Sequence, residues 1–326
     1  MLPVAVDAMG GDRAPEEAVA GARRAREEHG IPVLLVGSAE AVAAADPGGL
    51  EVLACTEVIG MDDDPGSAVR RRRDSSVVRA AEAVRDGRAS AMVSAGNTGA
   101  AMASALLRMG RITGVARPAI ATPIPVPGST PTVLLDAGAN AECQPGWLVQ
   151  FAQMGSVFAR SRYGMAEPRV GLLSVGSEAA KGSALVKEAH ARLKDAPGVR
   201  FVGNVEGHDL MTDEIDVVVS DGFTGNVALK TLEGGMRFIE GALVATMTAT
   251  AELKAAFEVL WPAVLPLVTE LDPESYGGAM LLGVDGVCII SHGSSSATAV
   301  VNAVVVARDM VAAGLVGALA TAVTTS

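Results

Sequence analysis

One hydrophobic pattern recurs along the chain. A short apolar run rich in Val, Ile and Leu ends in a loop of Gly, Ser, Asn or Asp, and a helix-like stretch follows. It occurs as VAVDAMGGD (4–12), AMVSAGNTGA (91–100), TVLLDAGAN (132–140), VGLLSVGSEAAKG (170–182), DVVVSDGFTGN (216–226) and GVCIISHGSSS (286–296). Unalternating apolar strands are buried on both faces, and their alternation with helices predicts an α/β fold around a parallel sheet. Right-handed crossovers would bring all six loops to one sheet edge, where ligands bind in open α/β sheets.

Several helix starts are legible. Pro15 with Glu16 and Glu17 suits a first turn, Thr98 follows Gly96 and Asn97, Asn226 precedes VALKTLEGG, and Ser294 to Ser296 precede ATAVVNAVVVARDM. Each would present unpaired backbone N–H groups, a ready anion site. Arg117 to Pro131 carries five prolines and predicts an extended connection. No low-complexity linker interrupts the chain, so residues 1–326 read as one domain.

Residues 234–270 depart from the pattern and predict two helices as a hairpin insertion. Leu253, Phe257, Leu260, Trp261, Val264, Leu265 and Val268 share one stripe, and Pro262 and Pro266 should kink or end the helix. The hairpin either packs in a dimer interface or on the core, or presents an apolar tip of Phe257, Leu260, Trp261, Val264 and Leu265 to a membrane or partner. The stretch Met310 to Ser326 has no charged side chain and reads as a packed terminal helix and tail.

Composition narrows the function. With 49% hydrophobic and 19% charged residues the chain can build a large core and is not disordered. Aromatics are only 3%, which disfavours stacking platforms for single-stranded nucleic acid, and the net charge of −11 argues against broad nucleic-acid binding. Cys55, Cys143 and Cys288 form no CxxC pair and the four histidines form no HExxH motif, so a reducing compartment and no metal site are expected. The N-terminus lacks a basic and apolar leader pattern, which fits a cytoplasmic protein.

No GxGxxG follows any strand, GSEAAKGS has the wrong order for a nucleotide-binding loop, and MVSAG and HGSSSA each lack a glycine of a serine nucleophile elbow. No cofactor is therefore expected. What remains suits an oxyanion. Gly96, Asn97, Thr98 and Gly99, and in another loop Gly222, Thr224, Gly225 and Asn226, can present donors to phosphate, with Lys181 and Lys230 supplying charge. Alternatively, these are tight turns and solvated lysines. Gly10, Gly11 and Asn140 belong to the same kind of loop. Asp7, Asp12, Asp136 and Asp221 stand at strand ends, where an acid orients a cation, acts as base, caps a helix or braces a loop. His292 can protonate a leaving group or bond a carbonyl. The run Arg70, Arg71, Arg72 and Arg73 is a docking patch for an acidic partner or a solvated face balanced by Asp62, Asp63, Asp64 and Asp74.

Longer motifs then carry a resemblance. AVDAMGGDRAPE (5–16), MDDDPGSAVRRRRDSS (61–76), SAGNTGA (94–100), LLDAGAN (134–140), QFAQMGSVFAR (150–160), GNVEGHDL (203–210), DGFTGNVALKTLEG (221–234) and SYGGAMLLGVDGVCIISHGSSS (275–296) resemble the phosphate acyltransferase family. The resemblance implies a Rossmann-like three-layer sandwich with a mainly parallel sheet and a protruding helical hairpin. It implies a homodimer of the bacterial cytoplasm, able to sit on the inner face of the membrane. It also implies transfer of a long-chain acyl group from acyl carrier protein (ACP) to inorganic phosphate, giving acyl phosphate for phospholipid synthesis. Lys181, Lys230 and His292 are then the catalytic candidates, and Arg70 to Arg73 the candidate site for the acidic carrier.

The sequence departs from the family pattern at Ser174, Ser177, His208, Ser220 and Asp285. Between Arg237 and Arg308 the only Lys or Arg is Lys254, so contact with anionic lipid would rest on the apolar tip. Two alternatives share these features: a phosphotransacetylase-like enzyme using acyl-CoA, and a non-catalytic membrane-associated scaffold for lipid-synthesis enzymes.

Overall fold

A computed structural model of the protein describes residues 1–324; the predicted tail residues Thr325 and Ser326 lie outside the described residues. The first half runs β1 (Val4–Asp7), α1 (Glu16–His29), β2 (Val33–Gly37), α2 (Ala39–Ala44), β3 (Glu51–Ala54), α3 (Pro65–Arg71), α4 (Ser76–Arg85), β4 (Ala91–Ser94), α5 (Thr98–Arg108), β5 (Ala119–Ile124), β6 (Thr132–Leu135) and α6 (Pro145–Tyr163). The second runs β7 (Arg169–Leu173), α7 (Ala184–Leu193), β8 (Arg200–Val205), β9 (Val217–Val219), α8 (Gly222–Met247), α9 (Ala251–Leu271), β10 (Ala279–Leu282), β11 (Val287–Ile290), α10 (Ala297–Ala312) and α11 (Leu315–Thr324).

The eleven strands form one sheet in the order β3-β2-β1-β4-β11-β10-β5-β6-β9-β7-β8. Helices cover both faces. On one, α1, α6, α7, α10 and α11 bury Val19, Phe151, Leu193, Val304 and Leu319; on the other, α3, α4 and α5 bury Val69, Val78 and Ala101. The apolar runs are buried throughout, as in VAVD of β1 and VCII of β11, because a sheet covered on both sides leaves no face for polar alternation.

The expectation that six loops share one edge is overturned. The pairs β11–β10, β10–β5 and β5–β6 are antiparallel. Three reversals leave β6, β9, β7 and β8 running opposite to β1, β2, β3, β4 and β11. The loops after β1, β4 and β11 therefore leave one edge of the sheet, and those after β6, β7 and β9 leave the other.

Three local expectations also change. The proline-rich segment contains a strand, β5, with Pro123 inside it. Partner β10 pairs only with Ala119, Ile120 and Ala121, so Pro123 sits where one side of β5 needs no N–H donor. The helix expected after Asn226 begins earlier, at Gly222, because Asp221 caps it by accepting from Thr224 N at 2.8 Å. Pro262 and Pro266 do not end α9, which runs through both. The helix buries no residue, so the carbonyls that lose a donor face solvent rather than a core.

Helices α8 and α9 form the expected hairpin; the first turns of α8 pack on the core through Ala228, Leu229 and Leu232, whereas α9 buries no residue. Phe238 is 77% exposed and Val259 80%, with Ile239, Leu243, Leu260 and Leu265 also exposed. Phe257 and Trp261 meet edge to face at 5.3 Å. Among the described residues no single helix is long and apolar enough to cross a membrane. The apolar C-terminal stretch packs through Leu315, Leu319 and Val323 of α11.

Candidate functional site

The predicted site residues fall into two sets. The first gathers where β1, β4 and β11 end. Asp7 closes β1 and is buried; Ser94 Oγ donates to its Oδ2 at 2.7 Å and Met9 N to its Oδ1 at 3.2 Å. Burial raises its carboxyl above the ordinary aspartate value. Ser94 Oγ in turn accepts from Gly96 N at 3.2 Å, so one acid braces two loops. Gly10 and Gly96 touch through their backbones: a Cβ on Gly10 would stand 2.7 Å from Gly96 N and from Asp7 Oδ2. Asp12 N donates to Gly293 O at 2.7 Å, and Gly11 lies against the same carbonyl. The cavity among these loops measures about 10 Å³, about one water molecule. Thr98 and His292 are exposed on the same loops.

Asn97 is fully engaged. Its Oδ1 accepts Ala100 N at 3.0 Å and caps α5, while its Nδ2 donates to the carbonyls of Gly60, Met61 and Asp63 at 3.3, 2.9 and 3.2 Å. His292 Nδ1 lies 2.8 Å from Ser294 Oγ and accepts from Ser294 N at 3.3 Å, which leaves Nε2 as the outward nitrogen.

The second set gathers where β6, β7 and β9 end. Asp136 is buried and takes five hydrogen bonds, from the N–H groups of Ile120, Gly138, Ala139 and Asn140 and from Asn140 Nδ2. Burial raises its carboxyl too. It braces the loop. Gly222 N donates to Asn140 O at 2.7 Å, Asn226 Nδ2 to Ala137 O at 3.0 Å, and Thr224 Oγ1 to Asp221 Oδ2 at 2.8 Å. Lys230 is exposed and pairs with Glu233 at 2.9 Å. Lys181 is exposed beside Glu178, and among the described residues it makes no ion pair. Cys143 lies 3.6 Å from Asn140 O, and burial pushes its thiol up to about 11, which makes it a poor nucleophile at neutral pH.

The structure thus brings Asp7, Gly10, Gly11, Gly96, Asn97, Thr98, Gly99 and His292 together, and separately Asn140, Asp221, Gly222, Thr224, Gly225, Asn226, Lys181 and Lys230. Among the described residues no hydrogen bond or ion pair joins the sets. They share an apolar layer in which Ala137, Ala139 and Leu229 pack with Ala101 and Ala105 of α5.

The helix N-termini read as free anion sites are largely capped by the protein. Asn97 caps α5 and Asp221 caps α8. At α10, Ser296 N donates to Glu274 Oε1 at 3.0 Å, and Ala297 N donates to Glu17 Oε2. Carboxylates already occupy that end. In the arginine run, Arg70, Arg71 and Arg73 are exposed, but Arg72 turns inward: Nη1 reaches Asp63 Oδ2 at 2.5 Å and Val58 O at 2.6 Å, and Nη2 reaches Asp63 Oδ1 at 3.2 Å.

Sequence reasoning missed Arg13, which donates to Ser294 O and lies 3.5 Å from Glu17, on the edge that also carries His292. Its place in DAMGGDR, two positions past a glycine pair at a strand end, was the available signal. It also missed Glu274, and it placed Glu17 in a first turn without its contact to Ala297 N; Asp63 was named as a counter-charge to the arginine run, and the structure pairs it with Arg72.

The family model described as "Fatty acid synthesis protein" matches residues 2–317. The chain is 48% identical over 321 residues to "Phosphate acyltransferase" of Desulforudis audaxviator, covering 98% of this chain and 95% of that one. It is 45% identical to the Nostoc sp. protein of the same name, covering 94% and 92%. Among solved structures it resembles a phosphotransacetylase from Streptococcus pyogenes, with TM-score 0.65, 16% identity and coverage of 95% and 94%. It also resembles the EutD phosphotransacetylase from Staphylococcus aureus, with TM-score 0.61, 15% identity and coverage of 95% and 94%. The last two likenesses establish the fold, a Rossmann-like α/β sandwich. With both sets of loops and the near-full-length identity taken together, the chain belongs to the phosphate acyltransferase family.

Proposed function

We propose that this protein transfers a long-chain acyl group from the thioester of acyl carrier protein to inorganic phosphate, releasing the carrier thiol and an acyl phosphate for phospholipid synthesis. The observation that carries the reading is 48% identity to a phosphate acyltransferase across 98% of the chain. The inventory of residues supports it. Phosphate is itself the nucleophile, so a site without an activated serine or cysteine is adequate. A phosphate oxygen adds to the thioester carbonyl, the tetrahedral oxyanion collapses, and the carbon–sulfur bond breaks to give the thiolate, which takes a proton. The protein needs only to hold phosphate, stabilise the oxyanion and protonate sulfur.

In this reading phosphate sits at the start of α5, against the Gly96–Gly99 backbone and the Thr98 hydroxyl, with Arg13 nearby. His292 Nε2 is the proton donor to the leaving thiolate. Lys181 and Lys230 supply charge, and Thr224 and Asn226 hydrogen-bond donors, from the other set. Lys230 is half-exposed, and its partner Glu233 also pairs with Arg237 at 3.3 Å, so Glu233 keeps a cation when Lys230 turns to an anionic ligand. Arg70, Arg71 and Arg73 dock the carrier. The chain works as one unit with the hairpin as an insertion, as a cytoplasmic homodimer whose apolar tip rests on the membrane.

The test is free-thiol release from palmitoyl-ACP with and without phosphate. Phosphate-dependent release with matching acyl phosphate supports the reading. Equal or faster release from acyl-CoA favours the phosphotransacetylase-like alternative. No release, with lipid or partner binding intact, favours the scaffold.

A further inference from the structure

Residues 58–64 form a strap across the start of α5. It contains no strand or helix, and Val58 and Met61 are exposed on it. Ile59 anchors it in the core, and the rest of its geometry is carried by polar ties. At the inner side, Asn97 Nδ2 reaches three of its carbonyls, at Gly60, Met61 and Asp63. Within the strap, Gly60 N donates to Asp63 Oδ2 at 2.7 Å and Asp63 N to Gly60 O at 3.3 Å. At the outer side, Arg72 grips both oxygens of Asp63 and the carbonyl of Val58. The strap continues into α3, whose Pro65 Cγ would lie 2.5 Å from a Cβ on Gly99, and its Met61 Cε would lie 3.0 Å from one on Gly293. It thus touches two loops of the first set at once.

A planar guanidinium bound to both carboxylate oxygens fixes direction as well as distance, which a lysine cannot do. Both side chains are partly shielded, Arg72 at 40% exposure and Asp63 at 30%. The Gly60 amide, and then the Arg72 guanidinium, hold the Asp63 carboxyl below its ordinary value.

We infer that Arg72 is a positioning residue for phosphate. Through Asp63 it fixes the strap, and the strap fixes Asn97 and the first turn of α5. The inference rests on the proposed placement of phosphate at α5, and it separates Arg72 from the three arginines beside it. Those face solvent, whereas Arg72 works inward.

The test compares Arg72→Gln, Arg72→Lys, Asp63→Asn, the double variant Arg72→Gln/Asp63→Asn, and Arg71→Gln. Readouts are KM for inorganic phosphate, KM for palmitoyl-ACP, thermal unfolding, and hydrogen exchange of peptides covering 56–64 and 95–100. Arg72→Gln and Asp63→Asn should each raise the phosphate KM about tenfold, the scale of one lost charge-assisted hydrogen bond, with the donor KM within about twofold. Exchange should quicken in both peptides. The double variant should be no worse than either single one, Arg72→Lys should rescue only in part, and Arg71→Gln should leave phosphate KM unchanged. The inference is overturned if Arg72→Gln moves the donor KM alone, or if the two single effects add. If the wild type shows no phosphate-dependent turnover, the functional reading has failed. Exchange then still decides the strap: unchanged rates in Arg72→Gln overturn the tie itself.

Discussion

The carbonyl oxygen of Asp136 stands 2.0 Å from where a Cβ on Gly225 would be. The loop after β6 and the first turn of α8 are in backbone contact, and only glycine permits it. Gly225→Ala must push α8 off this loop. We expect a loss of about 2 kcal/mol or more, at the upper end of overpacking costs because backbone rather than a side chain must give way. Denaturant unfolding measures it; a variant as stable as wild type would show that α8 can shift freely.

Asp136 itself satisfies four backbone amides and the Asn140 side chain. Asp136→Ala should leave several of these donors without an acceptor in a buried loop. The expected loss is about 3 kcal/mol or more, with activity falling alongside stability. Thermal unfolding checks it, and a shift of less than a degree or two would mean that the loop recovers its acceptors from solvent.

Asp7 gives a pH signature. Burial raises its carboxyl above the ordinary aspartate value of 3.8. A carboxyl raised on folding contributes stability below its unfolded pKa and loses it as pH rises through the folded one. Relative to wild type, Asp7→Asn should therefore become progressively less destabilising as pH climbs from 4 toward neutral. Paired unfolding curves across that range test this; a gap that widens with pH would reverse the sign.

The lysines decide how far the second set takes part in chemistry. Lys181→Ala and Lys230→Ala should each lower kcat/KM about a hundredfold, the scale of one lost oxyanion donor. Near-wild-type rates in both would confine catalysis to the edge carrying Thr98 and His292.

The hairpin predicts a separation of binding from stability. Since α9 buries no residue, Leu260→Asp with Leu265→Asp should leave the unfolding temperature nearly unchanged. The pair should abolish sedimentation with phospholipid vesicles. Retained vesicle binding would move the contact elsewhere, and a large stability loss in dilute solution would point to a hairpin packed against a second copy.

The local grammar of the fold was legible. Each apolar run became a strand and a helix followed each loop, although Asn97 turned out to cap α5 rather than stand free, and α8 starts at Gly222 behind Asp221 rather than at Asn226. Strand direction was not legible. It turns on the antiparallel pairs involving β5 and β10, and nothing local in AIATPI or AMLL says which way a neighbour runs. The occupied N-terminus of α10 was hidden for the same reason, since Glu17 lies 280 positions from Ala297. Four consecutive arginines look alike in sequence; only the placement of Asp63 distinguishes Arg72.

The central position of β11 sets a schedule for biosynthesis. β4 emerges early, yet its partner on that side is β11: Ala91 pairs with Val287, about two hundred positions later. Translation at about 5–20 residues per second separates the two by roughly ten to forty seconds. Throughout that interval the nascent N-terminal half carries an apolar, unpaired edge of Ala91, Met92 and Val93, a template for wrong pairing. Completion of the sheet waits for β11, so chains cut short before it should be targets for chaperones and proteases rather than partial enzymes.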